Sequence, residues 1–229
     1  MNSISHFHRQ MQSVKEDLLG MAGLVEEAIH DATAALARRD LELARAVVRG
    51  DRRIDLTQNS IEERCITLLA TQQPVASDLR FLAAVIKICA YLERMGDQAV
   101  NLAQRAMAME ELTEMEAPGT LLHMADIARE MTRDCLDAFV QESVRLATHV
   151  LRRDDDLDAL NRNFLEEMIA WMTAERRLIR RGVELILASR HLERIGDEAT
   201  NIAEEVVFLV EGRIIRHQGP AETGAGAPA

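Results

Sequence analysis

The chain has 229 residues, a formal net charge of −11 at pH 7, four prolines and only 3% aromatic residues. Such an acidic balance argues against nucleic acid as a partner, because nucleic-acid binding rests on neutralising phosphates with Lys and Arg. The start of the chain has no apolar leader, and no long uncharged apolar run occurs in it. We therefore expect a cytoplasmic protein without a secretory signal or a membrane-spanning helix.

Helix-forming residues dominate the sequence and predict an all-α fold. Apolar residues recur at spacings of three and four, as in the long seams of antiparallel bundles. In chain order the predicted helices cover about 3–38, 41–71 (either continuous or broken near Gly50), 81–109, 120–141, 143–173 and 177–211.

A duplicated motif divides this series of helices into two units. Residues 92–104 read LERMGDQAVNLAQ and residues 192–204 read LERIGDEATNIAE. Residues 51 and 55 are aspartates, as are their repeat equivalents 154 and 158, and Pro118-Gly119 separates the halves. We predict two tandem homologous three-helix bundles over 1–112 and 118–212. The remaining segment, 213–229, is poor in apolar residues, and we predict it to be disordered.

The repeated motif aligns polar side chains along one stripe of a helix. Relative to the apolar Leu92, the side chains of Glu93, Asp97 and Asn101 point about 100°, 140° and 180° around the helix axis. The preceding helix has a similar acidic stripe, offset in the same sense from its own apolar seam. Because two antiparallel helices with facing seams turn such stripes to the same side, both should border one groove.

The heights of the two stripes also match. A turn near residue 75 places Asp55 opposite residue 95, at the level of Glu93 and Asp97. The same construction applies to the second unit, where the turn lies near residue 176. The sequence therefore predicts a metal-ligand patch in each unit, with these candidate ligands: Asp51, Asp55, Glu62, Glu93, Asp97 and Asn101 in the first, and Asp154, Asp158, Glu193, Asp197 and Asn201 in the second.

Converging carboxylates repel one another, and a bound cation removes that repulsion. Oxygen-only ligands favour hard ions such as Mg²⁺, Ca²⁺, Mn²⁺ or iron. No set of Cys and His residues suggests a structural zinc site. Zinc is therefore a candidate only as an ion bound by the same acidic clusters. For a single carboxylate, a solvated acidic face remains the simpler reading. Gly96 and Gly196 lie inside these helices and indicate either close helix–helix approach or room for a ligand.

Two other functions remain open at this point. A carboxylate-bridged di-iron oxidase would need two Glu-x-x-His motifs, and the chain has one, from Glu27 to His30. A metal-free helical scaffold would use the acidic grooves to bind basic partners. No nucleophile–base pair, Gly-rich phosphate loop or paired cysteine supports an enzyme. Cys65, Cys89 and Cys135 are expected to be buried free thiols in a reducing compartment.

The chain resembles the PhoU family of phosphate-signalling regulators. The resemblance rests on the E-R-x-G-D-x-A-x-N-x-A runs at 93–103 and 193–203, on QPVASDLR at 73–80 and on the paired aspartates. It covers about residues 5–212 and implies paired three-helix bundles, a homodimer and multinuclear metal clusters on the acidic surfaces. It also implies negative regulation that links a phosphate ABC transporter ATPase to a sensor histidine kinase, with only peripheral contact with membrane complexes.

Two departures from the family pattern are visible in the second unit. Leu165 takes the place of Glu62, and the QPVASDLR turn is missing. We therefore expect the two metal sites to differ in ligand number or occupancy.

Overall fold

Six long helices make up the part of the chain that the structure describes. The computed structural model describes residues 2–112 and 117–215, with side chains from His6 onward, and within these ranges it contains helices and no strand. This confirms the predicted all-α class. The predicted tail lies outside the described residues from 216 onward. The helices are α1 (Asn2–Arg38), α2 (Leu41–Gln72), α3 (Ala76–Ala108), α4 (Gly119–Gln141), α5 (Val144–Ala174) and α6 (Ile179–Glu211).

The helix starts at equivalent points of the two units are capped alike. A side-chain oxygen of Asp40 accepts a hydrogen bond from the Leu43 N–H at 3.0 Å and starts α2. Ser143 does the same for Leu146 at 3.4 Å and starts α5. Each cap satisfies an N–H that has no partner inside its own helix. The hairpins differ, because a short loop joins α2 to α3 whereas a 3-10 turn, Arg176–Leu178, precedes α6.

The second helix is continuous through Gly50, so the alternative of a break there is wrong. A glycine in an exposed helix interior costs only about 1 kcal/mol relative to alanine. Val47 and Ile54, one turn to either side, are both buried and hold the helix against the core. Packing on both sides therefore outweighs the local preference of a single residue.

Each unit packs as a three-helix bundle, and the two bundles share one core. Helices α1, α2 and α3 contact one another, as do α4, α5 and α6. In addition α3 packs along α6, and α1 contacts α4. The buried apolar residues of both units form a single continuous cluster. The pairing of α3 with α6 thus fixes the two acidic grooves relative to each other.

Polar contacts cross the α3–α6 boundary. The ammonium of Lys87 donates to both carboxylate oxygens of Glu205, at 3.0 and 3.1 Å, although Glu205 is only 4% exposed. His191 shares a hydrogen bond of 2.9 Å with Gln98. Burial, followed by Arg105, lowers the pKa of His191 to about 4. These contacts fix the register of the two bundles and leave His191 neutral near pH 7.

Two smaller expectations can be compared with the fold. The three cysteines are free and buried, as predicted. Burial raises their pKa values, to about 11 for Cys65 and about 12 for Cys89. Such thiols are poor nucleophiles near neutral pH. Over the described residues, none of the helices has an apolar stretch of the length required to cross a bilayer.

Candidate functional site

The first acidic groove lies between α2 and α3. Its α2–α3 cluster comprises Asp51 and Asp55 from α2 with Glu93 and Asp97 from α3. Partial burial, followed by the charges of Asp55 and Asp97, raises the pKa of Asp51. The pKa values of Glu93 and Asp97 are raised as well, first by burial and then by carboxylates of the cluster that include Asp55. The two acidic stripes therefore face the same side, close enough to repel each other.

The second groove, between α5 and α6, repeats this arrangement. Its α5–α6 cluster comprises Asp154, Asp158, Glu193 and Asp197. Burial and then the charges of Asp197 and Asp158 raise the pKa of Asp154 to about 7. The pKa values of Glu193 and Asp197 are also raised, again by burial first and next by neighbouring carboxylates. At neutral pH this cluster is therefore only partly ionised in the absence of a cation.

Glycines allow the paired helices to approach closely beside each cluster. A Cβ on Gly96 would lie 3.1 Å from an Ile54 methyl and 3.6 Å from a carboxylate oxygen of Asp51. A Cβ on Gly196 would lie only 2.5 Å from a methyl of Leu157 and 3.5 Å from a carboxylate oxygen of Asp154. Close helix approach therefore explains both glycines. It also brings the carboxylates of the neighbouring helix against the glycine backbone.

Glu62 lies away from the four carboxylates of its unit. Its carboxylate accepts a hydrogen bond from the Gln58 amide at 3.1 Å and contacts the Cys89 thiol at 3.8 Å. Glu62 is not among the charges that raise the pKa values of Asp51, Glu93 and Asp97. The structure therefore groups Glu62 with Cys89, about two helical turns along α2 from Asp55. In the second unit the equivalent Leu165 is 44% exposed.

The two asparagines flank the clusters. Asn201 donates its amide to a Glu198 oxygen at 3.1 Å, and Glu198 also lies 3.8 Å from the guanidinium of Arg94 on α3. Asn101 is half-buried at the equivalent place on α3. The structure thus brings the four-carboxylate sets together and leaves the asparagines at their margins.

Two further acids border the second cluster and were missed in the sequence. Asp155 raises the pKa of Asp154, and Glu198 raises that of Asp197. Their equivalents in the first unit are Arg52 and Gln98. Aligning the repeats for differences in charge, rather than for identities, would have revealed both. The second cluster thus has two additional acidic neighbours, and Arg162 and Arg190, which have no basic equivalents in the first unit, offset part of their charge.

The comparisons with known proteins agree with this architecture. A family model described as the PhoU domain matches residues 18–106 and 121–206. The chain belongs to the PhoU family. It is 39% identical over 216 residues to the phosphate-specific transport system accessory protein PhoU homolog of Aquifex aeolicus, with 94% of this chain and 98% of that protein covered.

Other PhoU relatives extend the likeness to structure. The accessory protein homolog of Pseudomonas putida is 40% identical, with 93% of this chain and 84% of that protein covered. The crystal structure of PhoU from Pseudomonas aeruginosa superposes with a TM-score of 0.86 at 38% identity, and covers 90% of this chain and 100% of its own. The phosphate transport system regulatory protein PhoU from Streptococcus pneumoniae gives 0.85 at 31% identity, with coverages of 91% and 98%.

The donor chemistry of both clusters fits a hard cation, since every donor is a carboxylate oxygen. Within residues 2–112 and 117–215, no three His, Cys, Asp or Glu side chains already stand at the spacing that would hold a metal ion. Burial, followed by the charges of neighbouring carboxylates, raises the pKa values of Asp51 and Asp154, so the carboxylates of each cluster lie near enough to repel one another. Side-chain rotation within each groove would therefore have to accompany metal binding.

The Glu-x-x-His motif that could support an oxidase has a different setting. His30 lies at 2.9 Å from a guanidinium nitrogen of Arg129, which also donates to Asp126. This contact ties the His30 ring to α4, on a cavity of about 440 Å³ between α1 and α4. Glu27 and His30 therefore belong to a mixed-charge groove that neither acidic cluster shares.

Proposed function

We propose that this chain is a cytoplasmic, metal-binding regulator of phosphate uptake and phosphate-starvation signalling. Its PhoU relatives are named as accessory or regulatory proteins of phosphate transport, and none of those names describes an enzyme. The observation that carries the proposal is the duplicated cluster of four carboxylates, of which Asp97 and Asp197 are exposed and the others are partly buried. A folded chain keeps such mutually repelling groups at little benefit to stability, so their occurrence in both units favours a binding role.

The metal-binding part assigns one cation site to each groove. Asp51, Asp55, Glu93 and Asp97 would hold the first, and the equivalent carboxylates of the α5–α6 cluster the second. Burial and then mutual repulsion raise the pKa values of Asp51 and Asp154, and each cation would offset that repulsion. The second site should bind the more tightly above neutral pH, because Asp155 and Glu198 add to its field. Below neutral pH, protonation of Asp154 competes with the cation.

The regulatory part assigns the chain an adaptor role. The homodimer would hold the ATPase of a phosphate ABC transporter and the cytoplasmic part of a sensor histidine kinase in a signalling-off arrangement. Contact with the membrane complexes would be peripheral. A rigid α3–α6 pairing supports this role, because it presents both grooves at a fixed separation. The side chains of Glu93 and Glu193 border the grooves and leave the core at Leu92 and Leu192 to hold the fold.

Metal analysis tests the first part. Protein purified without chelator should contain bound Mg²⁺, Mn²⁺, Ca²⁺, iron or zinc, and a Glu93→Lys, Glu193→Lys variant should contain none. The matched control is Glu63→Lys with Glu166→Lys, which reverses equivalent, exposed charges outside both clusters. Metal retained by the cluster variant would refute the sites. Oxygen-dependent turnover by the iron-loaded protein would instead favour the oxidase.

A reporter assay tests the second part. In a host that lacks its own PhoU protein, the wild-type chain and the Glu63/Glu166 control should keep a phosphate-starvation promoter silent in phosphate-rich medium. The Glu93/Glu193 variant should leave that promoter active. Circular dichroism must first show that it is folded. Normal repression by a folded, metal-free variant would show that the acidic clusters do not carry the signal.

A further inference from the structure

Helix α5 has opposite charges on its two edges. The edge toward α6 carries Asp154 and Asp158 of the acidic cluster. The edge toward α4 is basic, since Arg153 pairs with Glu130 of α4 at 2.6 Å and the His149 ring lies 4.0 Å from Asp134 of α4. In a chain with a net charge of −11, this edge is a local concentration of positive charge.

A cavity of about 320 Å³ lies on this basic edge, lined by Arg145, Thr148, His149 and Arg152. Its lining contains no carboxylate. A second cavity of about 390 Å³ shares His149 with it and adds Arg133 and Arg153, beside Glu130 and Asp134. The two together form a groove along α4 and α5. The charges balance at its α4 side and are uncompensated where Arg145 and Arg152 lie.

Two arginines of this groove have no acidic partner among the described residues. Arg153 is neutralised by Glu130 and Asp156. Within the described ranges, Arg145 and Arg152 make no ion pair or hydrogen bond, and both are exposed. Arg145 and Arg152 flank His149 in a cavity that no carboxylate lines, whereas Asp134, 4.0 Å from the His149 ring, belongs to the adjoining cavity. The two guanidinium groups form a field that an oxyanion can neutralise. Guanidinium N–H groups match phosphoryl oxygens in geometry and bind them in pairs.

The first repeat lacks this arrangement. The repeat equivalents of Arg145 and Arg152 are Glu42 and Arg49, and that of His149 is Ala46. Glu42 pairs with Arg45 at 2.5 Å, so the equivalent surface is internally compensated. The basic groove is therefore a feature of the second unit alone. It is not a by-product of the duplicated fold.

We propose that this groove binds a soluble anion with two or more linked phosphoryl groups, through Arg145, His149 and Arg152. The two arginines lie two helical turns apart, a rise of about 10 Å, which exceeds the reach of a single phosphate. An anion of linked phosphoryl groups spans both guanidiniums and approaches the ring of His149 between them. The site lies on the opposite edge of α5 from the acidic cluster and needs no metal ion.

Titration calorimetry with sodium tripolyphosphate on the full, metal-stripped chain at low ionic strength tests the proposal. We expect saturable binding at one site per chain and at least a tenfold weaker affinity for Arg145→Gln with Arg152→Gln. The matched control, Arg45→Gln with Arg49→Gln, removes the same charge from the equivalent helix face and should bind like the wild type. Circular dichroism of each variant checks the fold.

Three results would overturn the inference. Equal weakening in both double variants would mean that tripolyphosphate responds to overall charge rather than to this groove. The second arm uses vesicles of phosphatidylglycerol in a sedimentation assay, since lipid headgroups carry the same phosphoryl chemistry. Vesicle binding that needs Arg145 and Arg152, without binding of tripolyphosphate, would assign the groove to a membrane surface and refute a soluble ligand. Absence of binding to either probe would refute the site altogether.

Discussion

Replacing Asp154 by asparagine should stabilise the metal-free protein at alkaline pH. The pKa of Asp154 is raised from 3.8 to about 7 by burial and by neighbouring carboxylates. As pH rises from about 4 to 7, the unfolded chain ionises at this residue while the folded chain does not, so stability falls with pH. Asparagine is neutral throughout, and the variant therefore escapes this loss.

The size of the effect follows from the same values. A pKa difference between 3.8 and about 7 corresponds to about 4 kcal/mol at most. The side chain is only half-buried, and solvent screening reduces this to about 1–2 kcal/mol. For a chain of this length each kcal/mol shifts the melting temperature by about 2–4 °C. The variant should melt a few degrees higher than the wild type at pH 8.

Thermal unfolding of chelator-treated protein at pH 4 and pH 8, followed by circular dichroism, measures this difference. The advantage of Asp154→Asn should be present at pH 8 and almost vanish at pH 4. Asp137→Asn removes an exposed carboxylate outside the clusters and should change little at either pH. Adding Mn²⁺ should reverse the order at pH 8, because the wild type gains more from the cation.

Two results would refute this reasoning. A lower melting temperature for metal-free Asp154→Asn at pH 8 would mean that the ionised Asp154 carboxylate does not destabilise the folded protein. An advantage of equal size at pH 4 would mean that it arises from packing or hydrogen bonding rather than from ionisation.

Three further substitutions test the packing between helices. Gly196→Ala should lower the free energy of unfolding by about 1–3 kcal/mol in urea titrations, because the new Cβ would lie 2.5 Å from a methyl of Leu157. Gly96→Ala, whose Cβ would lie 3.1 Å from Ile54, should be close to neutral. Equal effects of the two substitutions would contradict this geometry. Lys87→Met should lower the free energy of unfolding by about 2–3 kcal/mol, because Glu205, only 4% exposed, loses its charged partner. A decrease below about 0.5 kcal/mol would show that water replaces the lysine.

Much of the candidate site followed from periodicity. A helix places residues four apart on one stripe, so the acidic face of Glu93 and Asp97 could be read from their spacing alone. The short hairpins then fixed which stripe on the preceding helix lies opposite. Glu62 was grouped with that face on the same angular argument. Its actual partners, Gln58 and Cys89, depend on height along the helices and on rotamers that a rotation angle does not contain.

The relation between the two bundles depends on contacts between residues far apart in the chain. Lys87 meets Glu205 across 118 positions, and Arg105 meets Glu184 across 79. The sequence shows such residues only as charged positions on two amphipathic helices. It does not indicate that α3 and α6 would bury these positions against each other. The same limit explains why the burial of His191 and Arg181 was not foreseen.

By itself, the sequence determined the helical class, the duplication and the acidic stripe on each repeat, because all three are properties of local spacing. The tertiary structure alone decided how far the pKa values of the carboxylates in each stripe are raised. Burial, followed by the charge of Asp197 on α6, raises the pKa of Asp154 to about 7, beside a glycine that lets the two helices approach closely. Electrostatic coupling depends on distance and burial, and both are set only when helices distant in sequence pack together.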